Sequence, residues 1–229
     1  MKVTEADINR REIYRYLGYQ GQLPDEHICQ LIEDVLTEML KVIQPKNLYR
    51  TYRCEIREDL INLHDGKQDE KKEATFVMKS RNLADNLKSC DYTVVMAATL
   101  GIEAEKLLHR YEIVNMAKAA IAQACGAACI EAYCNCLQEE IRQEAEKKGM
   151  YLRPRFSPGY GDLPLETQKL IFDHLECTKR LGLTLTENLL MYPTKSVTAF
   201  IGLTTDRKNC HINKCKQCEN TECEFRNED

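Results

Sequence analysis

The segment from about Val114 to Lys148 constrains this chain more than any other, because it reads as one unbroken helix whose first half is built from small residues. Met116 to Tyr133 is dominated by alanine, with Gly126 and the cysteines Cys125 and Cys129 among them. Alanine is the strongest helix former, and small side chains let a second backbone approach closely. Such a helix belongs at the centre of a domain. Its second half, Gln138 to Lys148, is charged and is expected to face water. Cys125 and Cys129 stand one turn apart, a spacing that can hold a metal. Small residues on a packed face account for them better.

The rest of the chain supplies shorter elements. Thr4-Glu5-Ala6-Asp7 has capping-box spacing, so a helix is expected to begin there and carry Ile13, Tyr14 and Leu17 on one face. A second helix should start at Pro24-Asp25, with Ile28, Leu31, Ile32, Val35, Leu36, Met39 and Val42 at intervals of three and four. Leu48 to Ile56 alternates as a strand, Asp65 to Lys72 is a loop between strands, and Glu73 to Met78 continues as a strand. Ser80 should cap a helix over Leu83 to Leu87. Tyr92 to Leu100 is an apolar run of the buried-strand kind, and helical signals resume at Glu103. A helix is expected over Leu165 to Lys179, followed by Leu181 to Leu190, and a final strand over Ser196 to Leu203. Strands and helices that do not alternate regularly argue for an α+β fold, with an antiparallel or mixed sheet and long helices.

Composition excludes several function classes. A net charge of -4 and a pI near 5.8 are wrong for a general affinity for nucleic-acid phosphates. No apolar run reaches the roughly 18 to 20 residues of a membrane helix, and Met1 to Asp7 lacks the apolar core of a signal peptide. A cytoplasmic protein is expected. The cytosol keeps thiols reduced, so the 12 cysteines are not read as a disulfide framework. Eight are scattered through apolar or helical segments. The other four, Cys210-x4-Cys215-x2-Cys218-x4-Cys223, crowd into a polar tail with no core to join. Four close thiolates suit tetrahedral zinc or an iron–sulfur cluster, and the spacing does not choose between them. His211 is a possible substitute ligand. The chain therefore divides into a main domain, 1–206, and a cysteine-rich knuckle, 207–229.

Between the long helix and the final strand lies Arg153-Pro-Arg-Phe-Ser-Pro-Gly-Tyr-Gly-Asp-Leu-Pro164. Proline fixes φ, and glycine permits close approach and unusual backbone angles. A loop with Arg155 at one end and Gly159-Tyr160 behind it offers a guanidinium for a carboxylate, backbone groups for an adenine edge and an aromatic face. Those are the needs of an amino-acid nucleoside. A rigid loop around a packed tyrosine would have the same composition.

The pattern Arg155-x3-Gly159-Tyr160-x3-Pro164 resembles the signature of the S-adenosylmethionine-binding activation domain of cobalamin-dependent methionine synthase. Gly182-Leu183-Thr184-Leu185-Thr186-Glu187, Met191-Tyr192-Pro193 and Ser196-Val197 are similar to the family's later motifs in order and spacing. The resemblance covers about residues 115 to 204 clearly. It departs after the last strand, where Asp206-Arg207-Lys208-Asn209 runs into the cysteines. The resemblance implies that Glu131, Arg155, Ser157, Gly159 and Tyr160 contact S-adenosylmethionine. It also implies a role in the reductive methylation of oxidised cobalamin. The 229 residues leave no room for folate, homocysteine or cobalamin domains, and no D-x-H-x-x-G motif is present. The expectation is thus a stand-alone reactivation component. A corrinoid-binding or methionine synthase subunit would carry the cobalamin, and an electron donor would complete the system. An iron–sulfur tail could relay the electron. The competing expectation is a non-catalytic docking or chaperone module for a corrinoid protein, with a structural zinc knuckle. An independent methyltransferase of the doubly wound kind is disfavoured, because no glycine-rich nucleotide loop follows a first strand.

Overall fold

The computed structural model describes residues 3–19, 21–65, 74–207 and 210. Its architecture is α+β, as expected. Six strands form one sheet: β1 (Lys46–Arg57), β2 (Leu60–Asp65), β3 (Phe76–Lys79), β4 (Tyr92–Thr99), β5 (Tyr151–Leu152) and, numbered in chain order with a small separate hairpin of β6 (Thr184–Leu185) and β7 (Met191–Tyr192), β8 (Ser196–Thr204). The order across the sheet is β3-β2-β1-β4-β8-β5, and every neighbouring pair is antiparallel.

Helices cover both faces, which explains why β4 is buried from Thr93 to Thr99. Successive side chains on a strand point to opposite faces. Val94, Met96 and Ala98 of β4 and Ala199, Ile201 and Leu203 of β8 join a core with α1 (Arg10–Tyr16), α2 (Glu26–Val42), α4 (Ile102–Val114) and α5 (Met116–Glu146). Val95, Ala97 and Phe200 face the other way, into a core with α3 (Arg81–Asn86), α6 (Thr167–Leu175) and α7 (Cys177–Leu181).

The long helix is central, as its composition demands. It packs against α1, α2 and α4 and lies on β4 and β8. Ala122, Cys125 and Cys129 are fully buried, and a Cβ at Gly126 would stand 2.9 Å from Lys195 Cε. The C-terminal half is solvated, with Arg142 bridging Glu139 and Glu146. The expected start near Val114 is corrected by a break at Asn115, whose side chain accepts from Lys118 N–H at 3.0 Å and caps α5 as a new helix.

Other boundaries also moved. The Thr4–Asp7 capping box forms but closes only a single 3-10 turn, and α1 is capped instead by Asn9. Asp25 and Ser80 cap α2 and α3 as expected. The helix expected over Leu165 to Lys179 is split where Glu176 adopts φ 54°, a left-handed conformation that ends α6. Leu181 ends α7, and the helix expected from there to Leu190 does not form. Thr186 N–H donates to Leu190 O at 2.9 Å, closing the β6–β7 hairpin.

Candidate functional site

Arg155 is placed by the sheet. Just past β5, Phe156 exchanges two backbone hydrogen bonds with Phe200 of β8, at 2.9 and 2.8 Å. Its ring packs into the α3–α6–α7 core. Side chains alternate along extended backbone, so neighbouring Arg155 is sent to the opposite face, where α5 lies. There its Nη2 donates to Glu131 Oε2 at 3.0 Å and to Asn135 Oδ1 at 2.9 Å. Glu131 and Asn135 are one turn apart on α5 and share a face. The Arg155 side chain is 18% exposed and that of Glu131 is 45% exposed, so the pair stands at the protein surface over a partly desolvated guanidinium.

The loop then arches outward. Tyr160 N–H donates to Ser157 O at 3.2 Å, Leu163 N–H to Tyr160 O at 3.1 Å, and Gly159 N–H to Leu163 O at 2.9 Å. Gly159 takes φ +87°, an angle that favours glycine, and a Cβ there would meet Leu165 Cδ1 at 3.2 Å, so that side chain would have to give slightly. Leu163 is buried while Tyr160 is 68% exposed. The tyrosine is therefore not a packing residue of a rigid loop. It is an aromatic side chain presented to solvent at the loop apex.

Two neighbours were not singled out in the sequence. Asn135 has no motif of its own and shares Arg155 with Glu131 only because α5 is regular. Tyr16, at the end of α1, has its hydroxyl pKa raised by burial and further by the Glu131 carboxylate, with Tyr160 also contributing. The Arg15 guanidinium lies 4.9 Å from the Tyr16 ring centroid. Three elements distant in sequence thus converge: the end of α1, the middle of α5, and the Arg155–Pro164 loop. Of the expected site residues, Glu131 and Arg155 are in contact, and Ser157, Gly159 and Tyr160 form the turn beside them.

Most of the scattered thiols are buried. Burial pushes Cys129 and Cys134 up to about 12 and raises Cys125 as well, so all three remain protonated and apolar. Among the described residues no cluster of His, Cys, Asp or Glu is arranged to hold a metal. Cys210 is half-buried and its thiol donates to Asp206 O at 3.4 Å. Cys215, Cys218 and Cys223 lie outside the described residues, so the tail's proposed metal ligands are not brought together or separated here. No helix among the described residues is long and apolar enough to cross a membrane.

The fold and site define an α+β domain in which a central alanine-rich helix offers an acid to an arginine beneath a glycine–tyrosine loop. A family model described as the activation domain of vitamin B12 dependent methionine synthase matches residues 35–227, and the chain belongs to that family. Its fold is similar to a solved structure described as the MetH reactivation domain bound to AdoHcy. The TM-score is 0.67 at 20% sequence identity, covering 88% of this chain and 75% of that one.

Proposed function

We propose that this domain binds S-adenosylmethionine at the Arg155–Glu131 pair and supports its use in the reductive methylation of oxidised cobalamin held by another module. The observation that carries the reading is the pairing itself, at 3.0 Å, with an exposed tyrosine on the same loop as Arg155. An amino-acid headgroup has one carboxylate and one ammonium. Arg155 and Glu131 are complementary to both, and the ligand would replace each partner's present contact with one of like charge. Charge-assisted, planar contacts to a carboxylate are what arginine does best. Tyr160 supplies a face for the nucleoside, and Ser157 and Gly159 set the backbone of the turn. Bound S-adenosylmethionine would supply the methyl group; the chain's own residues orient it. The solved relative was crystallised with AdoHcy, the demethylated counterpart of that ligand, which supports the same reading for this chain.

The cobalamin would arrive on a corrinoid-binding or methionine synthase partner, with an electron donor completing the reaction. Cys210, Cys215, Cys218 and Cys223 form the proposed metal site, as zinc or an iron–sulfur cluster. Metal analysis and visible absorption of reconstituted protein decide between the two, and stoichiometric zinc without sulfide-to-iron bands removes any electron-relay role. Calorimetric titration of S-adenosylmethionine into wild type and Arg155→Ala tests the central reading. Binding to the first and strong weakening in the second is expected. No heat from either leaves a docking module for a corrinoid protein.

A further inference from the structure

The loop carrying Arg155 and Tyr160 is held at two places. One is the Phe156–Phe200 bridge. The other is Asp162, whose carboxylate accepts from Ser80 Oγ at 2.5 Å, from Arg81 N–H at 2.7 Å and from Asn82 N–H at 3.1 Å. In return, Asp162 N–H donates to Asn82 Oδ1 at 3.1 Å. The contact is intimate: a Cβ at Gly161 would fall 2.5 Å from Asn82 Oδ1, and Gly161 sits at φ +55°. Ser80 is buried and its hydroxyl also accepts from Leu83 N–H at 3.0 Å, so the anchorage is itself fixed to the first turn of α3.

We infer that Asp162 is a positioning residue for ligand recognition, clamping the loop onto α3 so that Tyr160 is held in register with Arg155 and Glu131; this rests on the loop being the S-adenosylmethionine site. Between the two anchors the chain can only arch outward, which fixes the direction in which Tyr160 leaves. The Ser80 hydroxyl bond, followed by the two amide bonds, holds the Asp162 carboxyl below its ordinary pKa. The carboxylate therefore stays charged and accepting at neutral pH. Released from this clamp, the loop would populate other shapes, and apparent affinity falls by the fraction that remains competent. A loop competent about one-tenth of the time binds about tenfold more weakly.

The test compares Asp162→Ala, Asn82→Ala, the double variant and Asp162→Asn with Asp25→Ala. The last loses the α2 cap at Ile28 N–H, far from the loop, and controls for stability alone. Hydrogen exchange at the Gly159 and Leu163 amides should accelerate in Asp162→Ala and Asn82→Ala but not in Asp25→Ala. Affinity for S-adenosylmethionine should fall about tenfold in Asp162→Ala, which removes the three carboxylate bonds, less in Asn82→Ala, which removes only the bond from Asp162 N–H, and most in the double variant. Asp162→Asn keeps one oxygen but sets its NH2 against a backbone N–H donor, so its affinity should fall with that of Asp162→Ala and not recover. Unchanged loop exchange in Asp162→Ala, or an equal loss of affinity in Asp25→Ala, overturns the inference. A wild type that gives no heat with S-adenosylmethionine overturns the site reading and the ligand role, and exchange then decides the clamp by itself.

Discussion

Arg155→Ala separates binding from stability because of where the ion pair sits. Glu131 is 45% exposed, so loss of its partner leaves the carboxylate in contact with water rather than stranded in the core. Pairs of this kind contribute about 0.2 to 1 kcal/mol, and the variant should melt only slightly below wild type. Ligand binding is different. Arg155 would give a bound carboxylate charge-assisted hydrogen bonds, each worth about 1.5 to 3 kcal/mol. At about 1.4 kcal/mol per factor of ten, the net loss of one such bond should raise Kd roughly 10- to 150-fold. Glu131→Gln should weaken binding less, because it removes the acid facing the ammonium while relieving competition for Arg155. Calorimetry with matched thermal melts measures both quantities. The reasoning fails if Arg155→Ala binds as tightly as wild type. It fails equally if that variant loses several kcal/mol of stability, which would make the arginine a structural residue.

Three further outcomes are expected. Gly202→Ala should destabilise the domain by about 1 to 3 kcal/mol in denaturant melts, because a Cβ there would lie 2.5 Å from Cys90 Sγ and 2.9 Å from Leu87 Cδ2. Cys125, Cys129, Cys134 and Cys177 should stay silent to a thiol reagent at pH 8 until denaturant is added, since each is fully buried and burial raises its pKa. Asp162 has a native pKa below its unfolded value, so its contribution is complete above the unfolded value near 3.9 and is lost as pH falls through the lower, native one. The stability gap between wild type and Asp162→Ala should be flat above about pH 5 and close in stronger acid.

Much of the fold was legible because local signals and burial agreed. The α5 alanines, the Asp25 and Ser80 caps and the apolar β4 run each imply what the structure contains. What was missed depended on competition or distance. Thr4 to Asp7 satisfies a capping box, yet Asn9 accepts from Arg11 N–H and begins the true helix two residues on. Leu181 to Leu190 has helical spacing, but Thr186 and Leu190 close a hairpin. In the candidate site, a motif points to Glu131 and Arg155, and the structure shows their contact. Asn135 and Tyr16 enter only through packing. The partners of Asp162 stand some 80 positions earlier in the chain, beyond the reach of any local pattern.

The antiparallel pairing of β4 with β8 has a consequence for synthesis. Thr99 meets Ser196 across 97 residues of chain, and the Phe156 bridge also needs β8. At about 5 to 20 residues per second, β4 leaves the ribosome roughly 5 to 20 seconds before its partner. For that interval it has apolar side chains on both faces and one unpaired edge, the state most open to aggregation and to chaperone capture. The arginine loop cannot take its final seat until β8 arrives, so the nascent domain would order that loop among its last events.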